Sequence, residues 1–384
     1  MITLSEVADI QTGPFGSQLH KEDYVAEGTP IVTVEHLGGR FFTRQNLPFV
    51  DDDDAERLKK YRMKQGDIIY SRVGSVDRCS YAEEENEGWL FSGRCLRVRP
   101  KCEINSEFLY YYLSSKEVKR FVEGIAVGAT MPSINTALMG EIPIPDLPAH
   151  QQAFIAAVMT PIDRKIAINA KINGYLEEQC EAVANHEKGF AVELSTLCGL
   201  VKEKADYNEA DFDTYVSTES LLPGKKGRQA PSSLPQTGKV TVYKAGDILV
   251  SNIRPYFKKI WYADRTGTCS GDVLVFRAKQ PEQSGYLYSC MRSDAFFDYV
   301  MKGAKGTKMP RGDKKQMLTY KVASNPSGAT VDFIESALSQ ASSSSKENHR
   351  LAALRDNLLP KLMSGEIDVS KVDLKQLNSH LSDC

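Results

Sequence analysis

An internal repeat constrains this 384-residue chain more than any single motif in it. Gly66-Asp67-Ile68-Ile69-Tyr70-Ser71 returns as Gly246-Asp247-Ile248-Leu249-Val250-Ser251, and Ser92-Gly93 before Leu96-Arg97-Val98-Arg99 returns as Ser270-Gly271 before Leu274-Val275-Phe276-Arg277. Phe108-Leu109-Tyr110 is matched by Tyr286-Leu287-Tyr288. Gly128-Ala129-Thr130-Met131-Pro132 is matched by Gly306-Thr307-Lys308-Met309-Pro310. Earlier, Thr33-Val34-Glu35-His36-Leu37 parallels Ser217-Thr218-Glu219-Ser220-Leu221, and the offset drifts from 184 to 178 along the chain. Five matches in one order at nearly one offset mark a duplicated domain. The period is too long for a solenoid.

Each copy is followed by a helical stretch. After the extended Ile142-Pro143-Ile144-Pro145, where each proline fixes its own φ and keeps its predecessor out of the α region, Ile155, Val158, Ile162, Ile166, Ile172, Leu176 and Val183 recur at three-and-four spacing. That spacing places them on one helix face. Val331, Ile334, Leu338, Leu351, Leu354, Leu358 and Leu362 form the second stripe. Each stripe contains a break signal. Thr160-Pro161 reads as a helix restart with Thr as N-cap. The run of serines at 342–345 interrupts the other, and Ser344 with Glu347 has capping-box spacing. A long amphipathic helix between two globular halves is a spacer, a dimerisation arm or a docking surface. Paired antiparallel within the chain, two such helices would hold the modules at opposite ends, and Asn169 would either fix register in the seam or face solvent.

The modules themselves read as α+β. Residues 29–34, 67–72 and 96–98 have strand character, and 106–123 carries the apolar side of a helix in Phe108, Leu109, Tyr112, Leu113, Val118 and Val122. The expected divisions are module one at 1–148, a helix at 149–190, module two at 191–326, a helix at 327–369 and a tail at 370–384. The second module has Tyr320-Lys321-Val322-Ala323 where the first has its Ile-Pro-Ile-Pro. The first begins abruptly at Leu4, and whether the natural start lies upstream of Met1 is left open by the sequence.

Charge separates the modules. The whole chain carries a formal −2, yet residues 1–148 hold 17 Lys+Arg against 23 Asp+Glu, and residues 191–326 hold 21 against 14. The second module suits a polyanion. The first does not advertise one, with acidic runs at 51–54 and 83–85. Cys79, Cys95, Cys102, Cys180, Cys198, Cys269, Cys290 and Cys384 form no C-x-x-C pair and sit apart from the histidines, which favours reduced, mostly buried thiols over a metal site or disulfides. No run of eighteen apolar residues occurs and the N-terminus lacks a leader pattern, so a cytoplasmic protein without a membrane anchor is expected.

Catalytic signatures are missing. Ser324-Asn325-Pro326-Ser327 falls short of a methyltransferase's Asn/Asp-Pro-Pro-aromatic motif, lacking the second proline and the aromatic, and no G-x-x-x-x-G-K-[ST] phosphate loop occurs. Gly13-Pro14-Phe15-Gly16-Ser17 lacks nucleophile-elbow spacing. His20, His36, His150, His186, His349 and His380 are scattered. No catalytic residues and no metal are therefore expected, and a binding or scaffolding role is. If the modules read nucleic acid, the candidates are polar and basic residues on loops at strand ends, because arginine can bond guanine bidentately while lysine mostly neutralises phosphate. In module one these are Gln18, His20, Lys21, Arg40, Arg44, Arg72, Ser75 and Arg78. In module two they are Lys225, Lys226, Arg228, Asn252, Arg254, Lys258, Lys259, Lys305, Lys308 and Arg311, with Tyr256, Phe257, Trp261 and Tyr262 interleaved.

The chain resembles the specificity (S) subunits of type I restriction–modification enzymes. The residues that carry the likeness are Gly13-Pro14-Phe15-Gly16-Ser17-Gln18-Leu19, Gly66-Asp67-Ile68-Ile69-Tyr70-Ser71-Arg72, and Gly128-Ala129-Thr130-Met131-Pro132 with the later Ile-Pro-Ile-Pro. Further down are Gln151-Gln152 leading to Ile162-Asp163-Arg164-Lys165-Ile166, and Leu358-Leu359-Pro360-Lys361-Leu362-Met363-Ser364-Gly365-Glu366-Ile367. The resemblance implies an α+β fold of two similar target-recognition domains separated by two long helices, which form an intramolecular antiparallel coiled coil about a pseudo-twofold axis. Each domain would read one half of a bipartite double-stranded DNA site. The helices would set the spacer and dock two methyltransferase subunits, to which restriction or translocase subunits can add. S-adenosylmethionine would belong to the partner, leaving this chain a non-catalytic subunit without a cofactor of its own. Two other classes stand beside it: a homodimeric DNA-binding adaptor that does not work with a methyltransferase, and a stand-alone nuclease or methyltransferase with degenerate motifs.

Overall fold

The computed structural model describes residues 2–15 and 18–367, and divides into two compact units, Met1–Ile166 with His349–Cys384 and Ala167–Asn348. The unit boundary falls inside both long helices. Gly16, Ser17, the Lys21 side chain, the expected tail at 370–384 and Cys384 lie outside the described residues.

In the first unit a four-stranded antiparallel sheet runs in the order Ala8–Thr12, Cys95–Pro100, Ile68–Ser71, Cys79–Tyr81. The central strand Ile68–Ser71 is buried on both faces: Ile68 and Tyr70 pack with Leu96, Val98, Phe108 and Leu109, while Ile69 points into a second cluster with Ile31, Val32 and Phe91. Burial on both sides explains why this strand reads as a continuous apolar run rather than an alternating one. The second unit repeats the layout with Cys198–Leu200, Val273–Ala278, Ile248–Ser251 and Ile260–Tyr262. Ile248 and Val250 face one cluster there and Leu249 the other.

The repeated Gly-Asp turns are structural. Asp67, 1% exposed, accepts from Arg99 Nε and Nη2 at 2.7 Å each and from the Lys64 N–H at 2.8 Å. Asp247 does the same with Arg277 at 2.7 and 2.6 Å and the Lys244 N–H at 2.7 Å. Two charge-assisted bonds plus a backbone donor satisfy a carboxylate that burial would otherwise penalise. The opening acidic run is likewise local structure, because Asp51 caps the helix Asp52–Arg57 through the Asp54 N–H at 2.9 Å.

Where a single helix over 106–123 is expected, two are found. Ser106–Leu113 ends at Ser114, and Ser115 caps Lys116–Ile125 by accepting from the Val118 N–H. Ser284–Met291 and Asp294–Lys302 repeat the arrangement, with Ser293 as the cap. The second module also has a counterpart to the Ile-Pro-Ile-Pro strand that its sequence hides. Pro143–Ile144 pairs antiparallel with Ile2–Thr3, and Lys321–Ala323 pairs antiparallel with Ala191–Glu193. Extended backbone is what the position requires, and proline is one way to obtain it.

Both break signals in the long helices are overridden. Ala149–His186 runs through Pro161 and Gly328–Met363 runs through the four serines, so neither the restart nor the capping box forms. Met159, Thr160 and Asp163 are buried beside the proline, and this tertiary packing outweighs the hydrogen bond that Pro161 cannot donate. Ser344 is buried and Ser345 accepts from Asn173 Nδ2 at 3.1 Å.

Within each unit the two helix portions run antiparallel. In the first, Phe154, Ile155 and Met159 share a cluster with Leu359 and Leu362, and Arg355 Nη1 meets Asp163 at 2.7 Å. In the second, Cys180 and Ala184 pack with Ile334, Ala337 and Leu338. Asn169 is buried and donates to Glu347 Oε2 at 2.7 Å and Asn348 Oδ1 at 2.9 Å, so of its two expected positions it takes the seam. The expected stripe needs correction. Ile155, Ile334 and Leu338 are buried, and Val158, Ile162, Ile166, Leu176, Val183, Leu351 and Leu358 are half-buried, but Ile172 and Leu354 are exposed. In the second unit the seam near Ile172 uses small or polar side chains, Asn169, Asn173, Ala341 and Ser344, with Asn173 Nδ2 donating to Ala341 O at 3.1 Å. Among the described residues no helix is long and apolar enough to cross a membrane.

Candidate nucleic-acid interface

Each module gathers loops at the end of its central strand, and the two sets correspond bond for bond. In module one, the Arg72 N–H donates to Arg94 O at 2.8 Å and the Arg72 carbonyl accepts from the Ile134 N–H at 3.0 Å. The Gly74 N–H donates to Pro132 O at 2.9 Å. In module two the same bonds are Asn252 N–H to Asp272 O at 2.8 Å, Gly312 N–H to Asn252 O at 3.2 Å, and Arg254 N–H to Pro310 O at 2.8 Å. Asn252 is therefore the counterpart of Arg72, and Arg254 the counterpart of Gly74.

That correspondence exposes a strained arginine. Gly74 has φ +86°, which costs glycine nothing. Arg254 keeps the left-handed conformation at φ +50° with a side chain that disfavours it. Its Nε is buried without a hydrogen-bond partner, as are Asn252 Oδ1 and Arg72 Nε. Of the three, Arg254 alone combines an unpartnered buried atom with left-handed backbone. Arg72 is held partway: its Nη1 donates to Gly93 O at 3.1 Å and its guanidinium lies 5.9 Å from the Phe15 ring centre. A Cβ on Gly93 would stand 2.4 Å from Pro14 O, so the Gly13-Pro14-Phe15 turn can approach Arg72 only across a glycine.

Several candidates do not join these clusters. Arg40 is a core cation, 3% exposed, bonded to Glu83 and Glu107 at 2.8 and 2.6 Å and lying 4.4 Å from the Tyr81 ring centre. Burial opposes its charge, but Tyr111 and the two carboxylates more than offset this and raise its pKa. It is withdrawn as a DNA contact, because an arginine so paired cannot reach a groove. Lys225 and Lys258 both meet Asp294 at 3.0 Å, and Lys225 also meets Glu181 at 3.1 Å. Their left-handed φ values of +62° and +51° belong to the adjoining loop pair, where the Lys225 N–H bonds Lys258 O at 2.9 Å. Arg228 is half-buried against Trp261 at 5.1 Å and donates to Asp213 O, and burial lowers its pKa. Lys259 Nζ donates to Thr218 O at 2.7 Å. Arg44 is exposed and pairs with Glu85 at 2.9 Å.

Those at the surface are Gln18, His20, Arg78, Lys226, Lys305, Lys308 and Arg311, with Ser75 half-exposed. Gln18 Oε1 accepts from Tyr61 at 2.6 Å, and the His20 N–H donates to Asp23 at 2.6 Å. Lys305 and Arg311 meet Asp313 and Asp272 at 3.7 and 3.2 Å. Lys21 falls in the turn Lys21–Asp23. Sequence reasoning missed Arg94, which is exposed and one backbone bond from Arg72. Its place after the repeated Ser-Gly pair was the available signal.

Residues 1–178 match the family model described as the type I restriction modification DNA specificity domain. The chain is similar to the S subunits of type I restriction–modification systems. The type I restriction enzyme MjaVIII specificity subunit of Methanocaldococcus jannaschii is 24% identical over 191 residues, 48% of this chain and 44% of that protein, so the alignment spans less than half of that relative. The EcoDI specificity subunit of Escherichia coli is 22% identical over 317 residues, covering 69% of this chain and 70% of its own. The crystal structure of the type I restriction-modification S subunit from M. genitalium superposes with a TM-score of 0.54 at 16% identity over 94% of both chains, a likeness of S-subunit fold.

Proposed function

We propose that this chain is the non-catalytic DNA-specificity subunit of a type I restriction–modification complex. Each module reads one half of a bipartite duplex site through the strand-end cluster, Arg72 with Arg94 in one and Asn252 with Arg254 in the other. The observation that carries the reading is the matched pair of strand-end clusters, built on the same backbone bonds but carrying different side chains, Arg72 and Arg94 in one and Asn252 and Arg254 in the other. Arg72 keeps one internal bond, from Nη1 to Gly93 O, and the rest of an arginine fork can bond a base edge or phosphate. Arg72 and Arg94, joined by a backbone bond, would supply cations at this strand end of a module that is acidic overall.

The long helices dock two methyltransferase subunits, which carry the S-adenosylmethionine chemistry, and motor or nuclease subunits can add to that assembly. Supporting this, Ile168, Ile172 and Tyr175 lie exposed at i, i+4 and i+7, a stripe with the spacing of a helix-docking face. The complex works in the cytoplasm.

The test is methylation-site sequencing of cells carrying Arg72→Ala or Arg254→Ala. Each variant is expected to lower or relax methylation through one half-site, a different half for each, with roughly a tenfold loss for one bidentate contact. Unchanged motif and occupancy in both variants would refute the assignment.

A further inference from the structure

The repeated Gly-x-x-Met-Pro segments fold into two equivalent hairpins whose tips the reading above leaves unused. In module one, the Val127 N–H donates to Ser133 O and the Ser133 N–H to Val127 O, both at 2.9 Å. In module two, Lys305 and Arg311 exchange the same two bonds at 2.9 Å. Gly128 and Gly306 open the turns at φ +107° and +98°. A Cβ at Gly128 would stand 2.8 Å from Met131 O, so the tighter turn requires glycine for space as well as conformation. Both hairpins are bolted to the strand-end clusters by the Pro132 and Pro310 carbonyls, which accept from Gly74 and Arg254. Each hairpin is therefore tied to its module at the base and through the residue that follows its methionine.

What they project is apolar. Met131 is 59% exposed and Met309 49%, each followed by proline. A methionine left half or more in water at the same tip of both modules gains little for folding. Its surroundings are polyanion-binding: Arg72 backs one hairpin, and Lys305, Lys308 and Arg311 lie on the other. An apolar side chain on a stiff tip beside cations is the equipment used to enter a base step and unstack it.

We propose that Met131 and Met309 are wedges, each inserted at one base step of its own half-site. This rests on the specificity reading and adds to it a distortion of the DNA at one step per half. The wedge contributes affinity and local unstacking rather than base identity, because a thioether has no hydrogen-bond pattern to match.

The test uses the full chain assembled with its modification subunits, on duplexes bearing the methylated motif with 2-aminopurine placed at successive positions. Apart from the methylated adenine, which the modification subunits extrude by themselves, the assembled parent is expected to raise fluorescence at one step in each half-site. Met131→Ala should abolish the rise in one half and Met309→Ala in the other, each weakening binding by about fivefold to tenfold, while Met→Leu restores both. The motif read from cellular methylation should stay the same in all variants. No unstacked step in the parent, or a rise that survives both alanine variants, overturns the wedge. Loss of assembly with the modification subunits in the alanine variants overturns it too, by showing that the tips meet protein. If removing the gene changed no methylation at all, the specificity reading itself would fail, a result separable from each of these.

Discussion

Arg254 is the residue at which backbone strain and function can be separated. Its left-handed conformation costs about 1–2 kcal/mol, and glycine there would remove the strain while loosening the unfolded chain. Arg254→Gly is therefore expected to leave stability within about 1 kcal/mol of the parent while reducing methylation through the second half-site. Thermal unfolding alongside methylation sequencing checks it, and a large loss of stability would mean the side chain is structural. The same scale shows what the sequence could and could not convey. Asp67 and Asp247 were visible as a repeated pair, but nothing local revealed that each is a carboxylate buried against Arg99 or Arg277. Arg40 looked like a loop cation because its partners Glu83 and Glu107 are more than forty residues away in sequence. Arg254 was singled out for charge, whereas its φ and its equivalence to Gly74 required coordinates.

At the scale of elements, the period of the apolar residues located both long helices, and the repeat located the strands Ile68–Ser71 and Ile248–Ser251. The errors have two origins. Thr160-Pro161 and the serine run are genuine local stop signals that packing overruled, because a helix held along its length tolerates a missing bond. The split at Ser114 went unseen since Val118 and Val122 continue the apolar side after the break. The exposed stripe of Ile168, Ile172 and Tyr175 supports a docking role for the first helix. Ile168→Glu with Tyr175→Glu should leave the circular-dichroism spectrum and melting temperature close to the parent's and abolish co-purification of methyltransferase subunits. Undiminished co-purification would place the dock elsewhere. If the helices also set the gap between half-sites, inserting one heptad into each should lengthen the unread spacer of the methylated motif and leave both half-sites unchanged. A motif with its original spacer would sink that idea.

For the whole molecule, the duplication carries the account. Two modules of opposite net charge share one scaffold, and the strand-end clusters differ where they should if each reads its own sequence: Arg72 against Asn252, Gly74 against Arg254, Arg94 against Asp272. The scaffold was legible from sequence because it is repeated. The residues proposed to read DNA are only partly legible because they differ between the copies. The central claim is that this chain directs adenine methylation to a bipartite site, and genome-wide detection of methylated adenines with and without the gene tests it most directly. The expected result is that one two-part motif loses methylation throughout the genome when the gene is removed and regains it on complementation. An identical set of methylated adenines in both strains, with the modification subunits expressed, would contradict it.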